Sequence, residues 1–392
     1  MPRRGRTAIC PEGWYLVFLL VTVGTWAILR EANLLLIAVG MLFGPLVLNW
    51  RLAVATLRDI QVRRRVGTGV YAGGWLTVEV ELHNSRRRLG AWMLVVRDWV
   101  EREASLGESE RLRPRILFPY VRAGDSQRQI YRISLQRRGR YRVGPLVVST
   151  RFPFGLFRRT FEIDENEGAV VYPRLGRFST AWRQGYQEAP QGQRGIQRPT
   201  RAVGDFFAVR PWQSGDSVRY VHWRGTARHG QLMVRQFEQP GEHNTALLLD
   251  LWQPATPTEK QLENVELAVS FAATLIADTC RAQRSRLLLA IGGPKPVCVS
   301  GIAASSLMRD ALEKLAVAEA SPEDWRTELF ETAIRHIGSA EEIVLVSTRD
   351  ARWRATPSVA TEEALPGGVA ISARVREVHP GENEFHEYFS IQ

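Results

Sequence analysis

The chain has 392 residues, 45% of them hydrophobic, and a formal net charge of +11. That composition excludes a disordered chain, and three cysteines without metal-ligand spacing (Cys10, Cys280, Cys298) exclude a scaffold built on disulfides or zinc. Residues 1–240 carry 38 Lys/Arg against 19 Asp/Glu, while residues 241–392 carry 14 against 22, so at least two differently used modules are expected.

Residues 14–29 form an uncharged apolar run, interrupted by Arg30, Glu31, Ala32 and Asn33 and followed by a second run over 34–48. Each sits at the short end of the about 17–25 residues that cross about 30 Å of hydrocarbon. Trp14, Tyr15, Trp26 and Trp50 fall near the expected ends, as interfacial aromatics do. No small-residue cleavage site follows the first run, which argues against a signal peptide. The reading is a two-helix transmembrane hairpin over 14–50. Arg3, Arg4 and Arg6 precede it and Arg51, Arg58, Arg63, Arg64 and Arg65 follow it. The positive-inside rule then puts the basic N-terminus (1–13) and all later domains on the cytoplasmic side of an inner membrane, with lipid as a partner through 14–50.

Short period-two stretches follow. Leu76-Thr-Val-Glu-Val-Glu-Leu82 alternates apolar and polar, and residues 92–97, 129–135 and 145–150 are further strands, separated by Gly-, Asn- and Asp-containing turns. About seven such strands over 60–175 predict an immunoglobulin-like β-sandwich. Residues 176–203 read by composition as a linker. Residues 204–240 then crowd Asp, Arg, His, Trp and Gly into one ordered polar segment, because guanidinium forks pair with carboxylates and stack on rings.

Over 241–392 the pattern turns to strands alternating with helices. Strands are expected at 245–251, 286–291, 297–300, 342–347 and 369–378, and helices at 259–284, 303–318 and 325–337. Such alternation implies an α/β fold with a mostly parallel sheet, whose ligands sit at the C-terminal strand ends. Asp250 lies at one.

Arg138-Gly-Arg-Tyr141, Phe152-Pro-Phe-Gly-Leu156, Gly215-Asp216, Arg219, Trp223, Ala227-Arg228, Val234-Arg235 and Glu238 together resemble the bacterial family named domain of unknown function 58. The resemblance covers nearly the whole chain. It implies a multidomain protein with a membrane hairpin, a β-rich region and a C-terminal domain like a von Willebrand factor A domain. It also implies association with MoxR-type AAA+ ATPases, and no demonstrated enzymatic activity. Many relatives carry Asp where this chain has His222 and Ser where it has Thr226.

Three chemistries compete. A metal-ion-dependent adhesion site needs oxygen ligands in an Asp-x-Ser-x-Ser pattern. Here Trp252 and Pro254 replace both serines, leaving Asp250 with Thr348 and Asp350 as the remaining oxygen donors. No metal or other cofactor is therefore expected. Catalysis by Asp205, Asp216, His222, His229 and Glu238 is the alternative, as a hydrolase or another enzyme. Yet the chain has no G-x-S-x-G, H-E-x-x-H or Walker A sequence. A structural or partner-binding network is preferred, in which Asp216 and Glu238 pair with Arg219, Arg228 or Arg235 beside His222, with Trp212 and Trp223 shielding them. Nucleic acid is not expected as a partner, since much of the excess arginine flanks the hairpin. The resulting expectation is a non-enzymatic, cytoplasm-facing adaptor that binds a AAA+ ATPase through its acidic C-terminal module.

Overall fold

The computed structural model describes residues 4–103, 110–187, 206–213, 216–237, 244–282, 286–293, 296–337, 342–349 and 374–391. The described residues form many strands, with two long apolar helices near the N-terminus. They divide into two compact units, Met1–Leu175 with Leu312–Ala318, and Gly176–Ala311 with Glu319–Gln392.

The first unit opens with β1 (Arg4–Ile9), α1 (Pro11–Leu29) and α2 (Asn33–Leu57). Both helices are long and apolar enough to cross a membrane. Within the stretch read only as a basic N-terminus, Arg4–Ile9 is a strand paired antiparallel with Phe157–Ile163. The second helix also runs past the expected end at residue 50. Its last turns bury Asn49, Ala53, Thr56 and Leu57, so tertiary packing extends it beyond the apolar run.

The strands that follow are β2 (Ile60–Val66), β3 (Val70–Tyr71), β4 (Trp75–Asn84), β5 (Ala91–Arg97), β6 (Val100–Glu103), β7 (Arg111–Leu112) and β8 (Arg115–Val121). They continue with β9 (Ser126–Ser134), β10 (Gly139–Val143), β11 (Leu146–Thr150), β12 (Phe157–Ile163) and β13 (Glu167–Tyr172). They pair in the orders β1-β12-β11-β5-β8, β3-β13-β10-β6-β7 and β2-β4-β9. All pairs are antiparallel except β3 with β13. The alternation read along 76–82 is borne out, with every second residue of β4 buried from Leu76 to Asn84. Those side chains join one apolar core with Leu94, Val96, Phe118, Tyr141, Val148 and Val171. Asn84, at the expected turn, is fully buried and donates to the carbonyls of Leu89 and Val121.

The second unit begins inside the segment read as a linker. Part of it, β14 (Gly176–Phe178) and α3 (Thr180–Gln187), is ordered because Phe178 and Trp182 bury against Phe271 at 5.1 Å each. Residues 188–203 of that expected linker lie outside the described residues. Next come β15 (Phe206–Pro211), α4 (Trp223–His229) and β16 (Met233–Phe237), then β17 (Thr245–Asp250), α5 (Glu259–Ala282), β18 (Arg286–Ile291) and β19 (Val297–Ile302). The chain ends with α6 (Ser305–Ala316), α7 (Arg326–Ile337), β20 (Glu342–Ser347), β21 (Arg374–Val378), α8 (Asn383–Tyr388) and β22 (Phe389–Ile391). The sheet order is β19-β18-β17-β20-β21. Its pairs are parallel except β18 with β19, which run antiparallel. The connection between those two is too short for the crossover of a dozen or more residues that a parallel pair needs. β17 is buried along its whole length, as its apolar run requires.

Candidate functional site

Parallel pairing sets Asp250 at the end of β17 directly beside Ser347 at the end of β20. This is where ligands of such sheets bind, and both residues are buried. The carboxylate is already neutralised. Arg349 donates from Nε to Oδ2 at 2.7 Å and from Nη2 to Oδ1 at 3.4 Å, and Ser347 Oγ donates to Oδ2 at 2.9 Å. Arg349 Nη2 also donates to Asp324 Oδ1 at 2.7 Å, and its guanidinium carbon lies 5.7 Å from the Trp252 ring. The Arg349 and Asp250 side chains are 4% and 5% exposed. A guanidinium that is always charged thus stands where a cation would neutralise the carboxylate.

Thr348 is committed to backbone. Its hydroxyl accepts from the Trp252 amide at 2.8 Å and donates to the Trp252 carbonyl at 2.7 Å, tying together the loops after β17 and β20. Asp350 lies outside the described residues. The oxygen set expected for a cation is therefore not assembled by Asp250 and Thr348. Among the described residues no group of three or more His, Cys, Asp or Glu is placed to hold a metal ion. Burial pushes the Asp324 carboxyl up. Hydrogen bonds from Arg326 and the charge of Arg349 outweigh that and leave it below its ordinary value. Sequence reasoning took Thr348 and Asp350 and passed over Arg349 between them. The signal was available: a carboxylate on an all-apolar strand needs a cationic partner once it is buried.

The segment between β15 and β16 forms a second constellation. β15 and β16 pair antiparallel, and a 3-10 turn (Val218–Tyr220) and α4 fill the connection. Asp216 is held by Arg210, with Nη1 to Oδ2 and Nη2 to Oδ1 both at 2.7 Å, and by the Gln213 amide at 2.8 Å. Chiefly because of the Arg210 hydrogen bonds, the Asp216 carboxyl lies below its ordinary value.

The expected partners Arg219, Arg228 and Arg235 are exposed instead, and Glu238 lies outside the described residues. Arg210 sits on the strand next to the loop, so it reaches Asp216 with two parallel bonds that the other arginines do not make. Nor do the indoles shield the pair, since Trp212 is 38% and Trp223 66% exposed.

His222 has a structural task. Its Nδ1 accepts from the Gly225 amide at 2.9 Å and caps α4, the role that Asp fills so often at helix starts. A side chain on Gly225 would bring its Cβ within 2.7 Å of that nitrogen. Thr226 Oγ1 accepts from the Met233 amide at 3.0 Å and fixes α4 to β16, a bond that serine makes equally well. Exposed Trp212, Val218, Trp223 and Leu232 share this element with exposed Arg219, Arg224, Arg228 and Arg235.

Residues 208–358 match the family described as Protein of unknown function DUF58. The chain is 31% identical over 206 residues to the Uncharacterized protein YeaD of Bacillus subtilis (strain 168), covering 51% of this chain and 50% of that protein. It therefore spans about half the length of that curated relative. Among solved structures, the CARDB domain of a Pyrococcus furiosus protein is 14% identical, with 29% of this chain and 94% of that chain covered and a TM-score of 0.18. The sporulation control protein Spo0M of Bacillus subtilis is 11% identical over 29% of this chain and 50% of that chain, with a TM-score of 0.19. Likenesses at these scores carry no structural argument, and the similarity to the uncharacterised family rests on residues 208–358.

Proposed function

We propose that this protein is a membrane-anchored, cytoplasm-facing, non-enzymatic adaptor that docks a MoxR-type AAA+ ATPase in the assembly or maturation of a complex. In this reading α1 and α2 form the anchor. The β-rich unit is an immunoglobulin-like sandwich, in keeping with the Tyr141 hydroxyl, which lies 2.8 Å from the Arg137 carbonyl, as tyrosines at sandwich corners do. The second unit is a von Willebrand factor A-like domain whose cation position has been taken over by Arg349.

The observation that carries the docking role is the exposed surface of the β15–α4–β16 element, which carries Trp212, Trp223, Arg219, Arg224, Arg228 and Arg235. Trp and Arg are the residue types that dominate binding hot spots, and four guanidiniums select an acidic partner surface. The dock is thus the signature element rather than the acidic remainder of the C-terminal module. Catalysis by the same segment loses support, because Asp216 is committed to Arg210 and His222 to Gly225.

Affinity purification of the full-length protein from gently solubilised native membranes tests this. The ATPase should co-elute with wild type and be lost from a Trp223→Ala/Arg228→Ala variant that melts at the wild-type temperature. Retention of the ATPase by that variant would remove this face as the dock. Turnover of a substrate abolished by His222→Ala would replace the adaptor reading with an enzyme.

A further inference from the structure

We infer that the aromatic end of the β-rich unit is a membrane-seating surface, with the loop of residues 151–157, Trp92 and Tyr120 resting in the phospholipid headgroup layer. The inference rests on the reading that α1 and α2 cross the same bilayer.

Both helices are bonded into that loop where they meet the β-rich unit. The Cys10 amide, at the start of α1, donates to the Leu156 carbonyl at 2.8 Å. Gly13 lies so close that a Cβ there would sit 2.5 Å from the same oxygen. From the other helix, Asn49 accepts from the Phe157 amide at 3.1 Å. The 25 residues of α2 span about 37 Å at 1.5 Å per residue, more than a hydrocarbon core of about 30 Å. Its exposed apolar surface runs as far as Trp50, and the last turns bury Asn49, Ala53, Thr56 and Leu57. The loop is therefore level with the point where both helices leave the hydrocarbon.

The surface there is apolar and uncovered by the described residues of the unit. Phe154 is 56%, Trp92 45%, Met93 48% and Leu89 57% exposed. Trp92 stacks on Phe152 at 5.8 Å and packs on Tyr120 at 4.2 Å. Met93 takes a left-handed φ of 51°, which breaks the alternation of β5 so that Trp92 and Met93 both face outward. A strained non-glycine backbone that exposes two large apolar side chains points to an external partner. Aromatic rings favour the interface of a bilayer, and exposed Arg51, Arg87, Arg88 and Arg151 supply cations for lipid phosphates. Arg86 fixes the geometry by donating to the carbonyls of Ala55 and Thr56 at the end of α2.

The test uses the full chain in nanodiscs of phosphatidylglycerol and phosphatidylethanolamine, with Cys298→Ala and one nitroxide at a time. Labels go on Phe154→Cys or Leu89→Cys, on Ile37→Cys in α2, and on Trp75→Cys at the opposite end of β4. Accessibility to oxygen and to a water-soluble nickel chelate is read by power saturation. Residues 154 and 89 should report a depth within about 5–10 Å of the headgroup–acyl boundary, residue 37 hydrocarbon, and residue 75 bulk water. If residue 37 is open to nickel, the anchor reading itself fails. If residue 37 lies in hydrocarbon while residues 154 and 89 match residue 75, the seating surface is overturned.

Discussion

Arg64 and Arg349 are buried guanidiniums that the charge pattern alone does not single out. Arg64 was counted with the basic residues that flank the hairpin, yet its side chain is fully buried. It donates to Asp98 at 3.0 Å, Glu167 at 3.2 Å and the carbonyls of Val143 and Glu165 at 2.9 Å. Asp98 also accepts from the Tyr131 hydroxyl at 2.7 Å and the Trp99 amide at 2.9 Å. Burial still raises its carboxyl above the ordinary value, against the lowering by Tyr131 and Arg64. Removing one partner of such a pair leaves an uncompensated buried charge, at a cost of about 3–5 kcal/mol. Arg349→Met should therefore lower the unfolding free energy of the second unit by about that much, and Asp250→Ala/Arg349→Met should restore most of it. Urea unfolding of both variants checks this, and equal losses would show that Asp250 does not need its cation. With the guanidinium already on Asp250, Mg²⁺ should leave the melting temperature unchanged.

Asp216 gives a pH dependence of definite sign. Its carboxyl is depressed in the fold by Arg210, so the stabilisation is present above the unfolded value of about 3.9 and is lost as pH falls through the lower folded value. Amide protection factors across residues 206–237, taken relative to the intrinsic exchange rate at each pH, should fall on acidification through the carboxylate range in wild type. Arg210→Gln should remove most of that pH dependence.

At the scale of elements, strong local patterns were legible and borrowed ones were not. β4 and the strand at residues 286–291 followed from alternation or apolar content, and α5 from its helical repeat. β1 was not legible, because Arg-Gly-Arg-Thr-Ala-Ile has no core face and exists as a strand only by pairing with β12. The extension of α2 likewise depends on its packing partner. His222 was legible as a titratable group but not as a cap: its imidazole nitrogen takes the position at the start of α4 that a carboxylate often fills. His222→Asp should therefore leave stability nearly unchanged, whereas His222→Ala should cost about 0.5–2 kcal/mol. Thermal melting of the two variants tests the cap, and a His222→Ala variant that melts with wild type would remove it.

For the whole molecule, the boundary that sequence composition set too late is the start of the second unit. A linker over 176–203 and a domain from 241 follow from the Gln, Gly and Arg content, but composition cannot show where two isolated aromatics land. Phe178 and Trp182 join Phe271, Phe385 and Phe389 in one buried aromatic cluster. β14 pairs with β22, the last strand of the described chain, and the Gly176 amide donates to Thr274 on α5 at 2.8 Å. Arg376 covers the Trp182 ring at 4.5 Å. Loss of a buried Phe or Trp side chain costs about 3–5 kcal/mol, and whole domains are stable by about 5–15 kcal/mol. Omitting both aromatics therefore removes most of the margin. A fragment of residues 176–392 should fold cooperatively, whereas one of residues 204–392 should bind a hydrophobic dye and lose its sharp melting transition. Equal melting of the two fragments would mean that the aromatic cluster only decorates a domain already stable without it.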